Sequence, residues 1–464
     1  MDNHNNIKSL VKQQNDFFLT GKTKSLRFRK EQLIKLKDLI ESHEQEIFNS
    51  LHKDFRKPEF ESYLSENGFV IEEINMFLKK LGKWTKKKRL PSNLVNFPSS
   101  SFEVYEPYGI TLIIAPWNYP FQLAMNPLLG AMAAGNCAVL KPSELAPATS
   151  KIIAEIINQN FDKSYIHVIE GDAIITQALL KERFDYIFFT GGERVGKIIA
   201  EAAAKNLTPV TLELGGKSPT VVDGSMNMKF AAKRIAWGKL LNCGQTCVAP
   251  DYIYVQKDYK DELLLQLKKE IIGFYGEDPS KSEDMPRIIN NNHFDRVKSL
   301  IDPAKIYYGG EVNREDLYIA PTILTDITWD DPVMQEEIFG PILPVMTYNH
   351  IEEVIAQLVK RNKPLSFYIF SNNKKLQDIL IDNLSFGCGA INDTMVHYGN
   401  PHIAFGGVGN SGYGSYHGKN SFNTFSHRKG ILKKNSRIDI PLRYAPYKNK
   451  MKLLRFAFRN NYEW

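Results

Sequence analysis

Tyr186-Ile187-Phe188-Phe189-Thr190-Gly191-Gly192-Glu193-Arg194-Val195-Gly196 reads as a strand, a glycine turn and the opening of a helix. Its first four residues are apolar, aromatic or β-branched, as in a buried parallel strand. Val195, Ile198, Ile199 and Ala202 then recur at helical spacing and predict one apolar face. A glycine turn feeding a helix N-terminus exposes backbone N–H groups and lets a pyrophosphate approach closely. The spacing departs from the usual dinucleotide fingerprint. Taken alone, the turn suits either a pyrophosphate contact or a plain connection between strand and helix.

Working outward, the same texture repeats. Ile110-Thr111-Leu112-Ile113-Ile114-Ala115, ended by Pro116, is a further strand, as are Ala138-Val139-Leu140 and Ile166-His167-Val168-Ile169. Helical stretches separate them, and a second set of strands and helices follows Glu213. Alternation of this kind predicts a doubly wound α/β sheet followed by a second α/β domain. Upstream, residues 26–85 read as helices. Leu33, Ile34, Leu36, Leu39 and Ile40 recur near helical spacing, and Phe69, Ile71, Ile74 and Phe77 do so later. Lys86-Lys87-Lys88-Arg89, followed by Pro91, reads as a solvated linker. No internal repeat is visible, and the residues from Pro441 onward are separately basic and aromatic.

Composition narrows the function. The 464 residues are 43 % hydrophobic and 24 % charged, which suits a folded protein of two or three domains. Fifty-nine basic against 52 acidic residues leave +7, a mild excess that fits an anionic ligand. It is far from the concentrated charge of a nucleic-acid binder. Four cysteines are too few for a disulfide scaffold and point to a reducing compartment. The start, MDNHNNIKSL, lacks the apolar core of a signal peptide, and no apolar run approaches the roughly 20 residues of a membrane span. The expected location is the cytoplasm.

Two other glycine patterns carry little weight. Gly216-Lys217-Ser218 ends like a phosphate-binding loop, but the first glycine of that motif falls on Thr211. Gly407-Val408-Gly409-Asn410-Ser411-Gly412 spells GxGxxG, yet Tyr413-Gly414-Ser415-Tyr416-His417-Gly418 cannot open a helix packed on a sheet. That stretch reads as a surface or active-site loop. Cys243 and Cys247 have no His or Cys pair nearby to complete a metal site, so no metal is expected. By itself, a cysteine of this kind is ordinary core packing.

The wider constellation changes that reading. Pro116-Trp117-Asn118-Tyr119-Pro120, Lys141-Pro142-Ser143-Glu144, Phe189-Thr190-Gly191-Gly192, Leu212-Glu213-Leu214-Gly215-Gly216-Lys217-Ser218-Pro219, Gly244-Gln245-Thr246-Cys247 and Glu336-Glu337-Ile338-Phe339-Gly340-Pro341 occur in order. Together they make the chain, from about residue 10 to 430, resemble the aldehyde dehydrogenase superfamily and its class 3 branch, which acts on fatty and aromatic aldehydes. The resemblance implies a Rossmann-type cofactor domain, an α/β catalytic domain and a small oligomerisation element. It implies that Cys247 is the nucleophile, forming a thiohemiacetal and then a thioester. Asn118 resembles the oxyanion donor, acting with the Cys247 backbone N–H. Glu213 resembles the base that activates water to hydrolyse the thioester, which sets the chain apart from acylating relatives. Lys141 and Glu144 match positions at the adenosine ribose, Gly191, Gly192 and Gly196 the turn near the pyrophosphate, and Glu337, Phe339 and Trp117 the nicotinamide site. A carboxylate near the ribose favours NAD, and the branch accepts NADP as well. Glu193 departs from the small polar residue that relatives often carry, and places a negative charge near the phosphates with Arg194 beside it.

The implied partition is 1–85 with 106–213 for the cofactor, 214–393 for catalysis, 86–105 with 394–430 for oligomerisation, and 431–464 as a basic tail. The branch usually forms homodimers. In the tail, Met451, Leu454 and Phe458 share one helical face among lysines and arginines, a pattern that suits contact with an anionic membrane surface or packing on protein. His397, His402 and His417 lie near the active-site loops and receive no role. Two alternatives stand beside the main reading. A semialdehyde-specific dehydrogenase of the same fold is one. A non-enzymatic protein that kept the fold is the other, and it is expected to have lost Cys247, Glu213 or Asn118.

Overall fold

The apolar runs between residues 110 and 213 form the centre of a six-stranded sheet in the computed structural model, which describes residues 2–459. Its order is Gly412–Tyr413, Val210–Glu213, Tyr186–Thr190, Ile110–Ile114, Cys137–Lys141, Ile166–Val168. Every pairing is parallel except the short edge strand Gly412–Tyr413. From Ile110–Ile114 the chain proceeds first to one side and later to the other. The crevice outside the carboxyl ends of Ile110–Ile114 and Tyr186–Thr190 is therefore the switch point at which doubly wound sheets bind ligands. The helix Gln122–Ala134 is buried along its whole length, which its apolar sequence dictates.

The turn after Tyr186–Thr190 opens the helix Glu193–Lys205. Its buried face is Gly196, Ile199 and Ala203, whereas Ile198 of the expected stripe is exposed. Close packing of Gly196 on Leu214 sets this phase, since a Cβ there would come within 2.8 Å of the leucine.

A second, seven-stranded sheet follows Glu213. Its order is Ile306–Tyr308, Thr322–Leu324, Ile342–Tyr348, Tyr252–Gln256, Pro219–Val222, Ser366–Phe370, Cys388–Ile391, parallel except at the first pair. The amino-terminal helices Leu26–Ser42, Glu44–Phe55 and Gly68–Trp84 join the core of the first sheet through Leu33, Leu36, Ile40, Ile47, Ile74 and Phe77. Ile34, counted in the apolar stripe, faces solvent.

A third sheet is antiparallel, Lys88–Leu90, Ser99–Pro107, Ser426–Lys434. The basic run expected as a linker thus ends in an edge strand, with Lys88 to Leu90 paired to Glu103 to Ser101. All four basic side chains stay exposed, which is compatible with backbone pairing and protects a sheet edge from further association. The last described element is the helix Met451–Arg459. The last five residues of the predicted tail lie outside the described residues. Among the described residues, no helix is long and apolar enough to cross a membrane.

Candidate active site

Two loops from different sheets meet beneath a single cleft. The first follows the strand Ile110–Ile114 and carries Trp117 and Asn118. The second leaves the helix Met228–Leu240 through three successive residues in left-handed backbone, Asn242 (φ 53°), Cys243 (φ 55°) and Gly244 (φ 73°). Two non-glycine residues in that region store strain, and such strain persists only where surroundings over-determine it. Here they do. A Cβ on Gly244 would stand 2.2 Å from the Gly340 carbonyl, so glycine is required where this loop crosses the Glu336–Pro341 motif.

Hydrogen bonds complete the restraint. The Gln245 side chain donates to the carbonyls of Asn242 (3.1 Å) and Arg287 (3.0 Å) and accepts from the Ile289 N–H (3.0 Å). Asn242 Nδ2 donates to the Asn118 carbonyl at 2.7 Å, and Asn118 Nδ2 donates to the Gln245 carbonyl at 3.0 Å. Asn118, 3 % exposed, therefore commits one amide hydrogen to the second loop. An amide has two, and the other is left for a ligand.

Cys247 follows directly and lines the cleft with Asn118 and Glu213. Burial holds its thiol well above the usual range, and the Glu337 and Glu213 carboxylates push the same way. Glu213, 2 % exposed, ends the strand Val210–Glu213, and neither carboxylate oxygen has a hydrogen-bond partner. Burial alone raises its pKa well above the ordinary value. An unpartnered buried carboxyl is costly unless something outside the chain occupies it. The GxGxxG stretch flanks this residue. Gly412 pairs with Glu213, and the Leu214 N–H donates to the Ser411 carbonyl at 3.1 Å.

The cleft holds about 1540 Å³ and runs between the two sheets. On the side of the first sheet it is lined by Thr190, Gly191 and Gly192. The Gly191 N–H donates to the Glu213 carbonyl at 3.0 Å, which ties the glycine turn to the strand of the carboxylate. Gly192 caps the helix Glu193–Lys205 with nothing within 4 Å of the position a Cβ would take, and the buried Thr190 hydroxyl has no partner. A bare helix N-terminus with an orphaned hydroxyl beside it fits the pyrophosphate of a dinucleotide. Glu337, Phe339 and Trp117 line the same cleft. Gly215 is glycine because a Cβ there would reach 2.1 Å from the Glu337 carboxylate, and burial with the nearby Asp251 pushes Glu337 up to about 8. Trp117 lies 5.3 Å from Phe339 and 4.7 Å from His293, centre to centre.

Three expected contacts lie outside this lining. Lys141 ends its strand and pairs with Glu144 at 2.6 Å, and Gly196 is buried against Leu214. Glu193 is held by Lys197 at 2.8 Å and accepts from Asn410 Nδ2 at 3.1 Å, so Lys197, one helical turn away, pairs with it instead of Arg194. His397 is buried beside Cys388 (3.1 Å), His417 beside Glu73 (3.3 Å), and His402 is exposed. Missing from the sequence-based set are Gln245 and Asn242, which shape the nucleophile loop. Also missing are Lys57, Glu61 and Glu66, buried charges in the segment between the helices Glu44–Phe55 and Gly68–Trp84 that touch both loops. Isolated charges in a short connecting segment give no sequence signal for such contacts.

Comparison with known proteins bears on this geometry. The model of the aldehyde dehydrogenase family matches residues 2–431. The 4,4'-diaponeurosporen-aldehyde dehydrogenase of Staphylococcus aureus is 49 % identical over 446 residues, 96 % of this chain and 97 % of that one. The mouse dimeric NADP-preferring aldehyde dehydrogenase is 46 % identical over 96 % of this chain and 99 % of its own. A structure of Staphylococcus aureus AldH in a substrate-bound state is 48 % identical and superimposes with a TM-score of 0.96, covering 97 % and 99 % of the two chains. With its motifs, topology and cleft matched in this way over nearly its whole length, the chain belongs to the aldehyde dehydrogenase family, within the class 3 branch, and oxidises aldehydes with NAD or NADP.

Proposed function

We propose that Cys247, Glu213 and Asn118 carry out a non-acylating oxidation of lipophilic aldehydes, medium- or long-chain aliphatic or aromatic, to carboxylic acids. The observation that carries this reading is the meeting of all three residues in one cleft, with the Glu213 carboxylate buried and unpartnered. The Cys247 thiol, protonated at rest, passes its proton to solvent at the open cleft as its sulfur bonds to the aldehyde carbon. The free Asn118 N–H and the Cys247 backbone N–H bear the negative charge that develops on the carbonyl oxygen. Trp117, Glu337, Phe339, Gly191 and Gly192 would hold the dinucleotide at the cleft, with Lys141 and Glu144 toward its ribose and Gly196 seating the helix behind the turn. A dinucleotide held there would supply the acceptor for the hydride that leaves the aldehyde carbon. Glu213 then draws a proton from water, whose oxygen attacks the thioester carbon; the C–S bond breaks, the leaving Cys247 sulfur takes that proton from Glu213, and the carboxylic acid departs. Burial suits Glu213 to the task, because a carboxyl with a raised pKa is an effective base near neutral pH.

Phe69, Trp237, Met395 and Phe405 line the cleft, and the partly exposed Tyr63, Leu64 and Val396 border it, which supports an apolar substrate. The name of the Staphylococcus aureus relative, a 4,4'-diaponeurosporen-aldehyde dehydrogenase, supports the same class. The Lys141–Glu144 pair sets a cation beside a carboxylate, consistent with use of both NAD and NADP. A homodimer is supported by two open sheet edges. Ser426–Lys434 exposes Ile431 and Leu432, and Cys388–Ile391 exposes Ile391. The separate sheets support the partition into 1–85 with 106–213, 214–393, and 86–105 with 394–430, although Gly412–Tyr413 of the last part joins the first sheet and Ser426–Lys434 runs past its end. The tail beyond is an anionic-surface contact in a cytoplasmic protein.

Absorbance of the reduced nicotinamide, followed with NAD and NADP over aldehydes of rising chain length and one aromatic, tests the proposal. Turnover should strengthen with chain length and vanish in Cys247→Ala while folding is retained. Turnover by the alanine variant would remove Cys247 from its role.

A further inference from the structure

Lys57, Glu61 and Glu66 are all buried, and each reaches toward one of the two loops that carry Asn118 and Cys247. Lys57 and Glu66 pair at 2.7 Å with no solvent exposure on either side chain. The second Glu66 oxygen accepts from the N–H groups of Phe121 (3.1 Å) and Gln122 (2.9 Å), where the Asn118 loop enters its helix. The Lys57 ammonium stands 4.4 Å from the centre of the Tyr119 ring. The Tyr119 hydroxyl bonds Thr246 Oγ1 at 2.7 Å, one residue before Cys247. Glu61 accepts from the Asn242 N–H at 2.7 Å, inside the left-handed turn that launches the nucleophile.

Buried ion pairs add little net stability over apolar packing of the same volume. Stability therefore gives no reason for three charges here, whereas geometry does. We propose that Lys57, Glu61 and Glu66 form a positioning clamp that fixes Cys247 relative to the Asn118 amide. The proposal rests on the assignment of those two residues as nucleophile and oxyanion donor. Strain in the turn explains why a clamp is required. Asn242 and Cys243 sit at φ values that a free chain leaves readily, and the Glu61 bond to the Asn242 N–H holds the first of them. The clamp also couples the sheets, since Asn242 belongs to the loop leaving Met228–Leu240 and Phe121 to the loop after Ile110–Ile114. Burial pushes the Glu61 carboxyl up to about 7, and Lys57 and the Asn242 N–H pull it back. Burial thus favours a proton on Glu61, which leaves the Lys57–Glu66 pair balanced.

The test uses full-length Glu61→Ala, Glu61→Gln and Tyr119→Phe, with kcat/KM for aldehyde, the NAD dissociation constant and the melting temperature read for each. Glutamine keeps an acceptor oxygen for Asn242; alanine does not. For a displacement of the order of 1 Å, Glu61→Ala should lose roughly 10- to 100-fold in kcat/KM with NAD binding within about twofold of the parent. Glu61→Gln should recover most of that loss. Should Glu61→Ala fail to fold, Tyr119→Phe removes one arm of the clamp without stranding a charge, and a several-fold fall at an unchanged melting temperature is expected. Unchanged kcat/KM in folded Glu61→Ala or in Tyr119→Phe, or equal damage by Gln and Ala at position 61, would overturn the clamp. Cys247→Ala measured alongside separates the two levels, because turnover there refutes the nucleophile and not the clamp.

Discussion

At the scale of single residues, Glu213 shows how environment assigns a role. Its carboxyl is buried with both oxygens free, and burial raises its pKa well above 4.5. Two pH effects of opposite sense follow. The basic form needed to activate water grows as pH rises, so kcat should climb with pH in the parent. Replacing it in Glu213→Gln should lower kcat by about 10²–10⁴-fold and flatten that limb. A burst of reduced cofactor near one per site should remain, because the thioester still forms. Stability runs the other way. The folded-state pKa lies above the unfolded one, so this group's contribution is full below about 4.5 and is lost as pH rises through the elevated value. Glu213→Gln should therefore gain stability over the parent in alkaline urea titrations. A parent whose stability is independent of pH there would contradict the buried-carboxyl account.

At the scale of elements, the strand-turn-helix at 186–205 separates what sequence patterns reveal from what they hide. The strand was legible because five consecutive buried positions demand an apolar run. The helix was legible as a helix but mis-phased, since its orientation depends on Leu214 touching Gly196, a contact no local pattern encodes. The site followed the same rule. Cys247, Glu213 and Asn118 stood out only through whole motifs, because a single cysteine, glutamate or asparagine carries no sequence signal of its own. Glu61 was illegible for a stronger reason, as 181 positions separate it from the Asn242 it holds. The two kinds of glycine in this region make a prediction. An added Cβ on Gly412 would sit 1.9 Å from the Leu212 carbonyl at φ 122°, so Gly412→Ala should disturb the Glu213 strand and lower stability. Gly192 has open space and an ordinary φ of −80°, so Gly192→Ala should fold as the parent does. A methyl at the helix N-terminus nevertheless obstructs a phosphate, and losing one bond to that charge should raise KM for NAD roughly tenfold. An unchanged KM in a folded variant would take the turn out of the cofactor site.

At the scale of the whole molecule, the distribution of charge says more than its total. Residues 428–459 contain eleven basic side chains and one acidic, so the remainder of this +7 chain is net negative. The same segment exposes Ile438, Tyr447, Met451, Leu453, Phe456 and Phe458. In the helix Met451–Arg459 the predicted face is only partly realised. Met451 and Phe458 are exposed, Leu454 is half-buried, and Ala457 is the side that packs. Apolar and cationic groups that both face solvent match the two terms that bind a peptide to an anionic bilayer surface, insertion of side chains and about 1 kcal/mol for each basic residue near it. Neither term requires a span. The full chain should sediment with vesicles rich in phosphatidylserine, stay free of phosphatidylcholine vesicles, and be released by salt near 0.5 M, where charges are screened within about 4 Å. A chain ending at Asp439 should remain in the supernatant yet keep its kcat on a short, water-soluble aldehyde, because the catalytic residues lie in the sheets before it. If the full chain stays in solution with every vesicle, these side chains instead meet protein, and the open edge strand Ser426–Lys434 just before them identifies a second copy as the surface to examine.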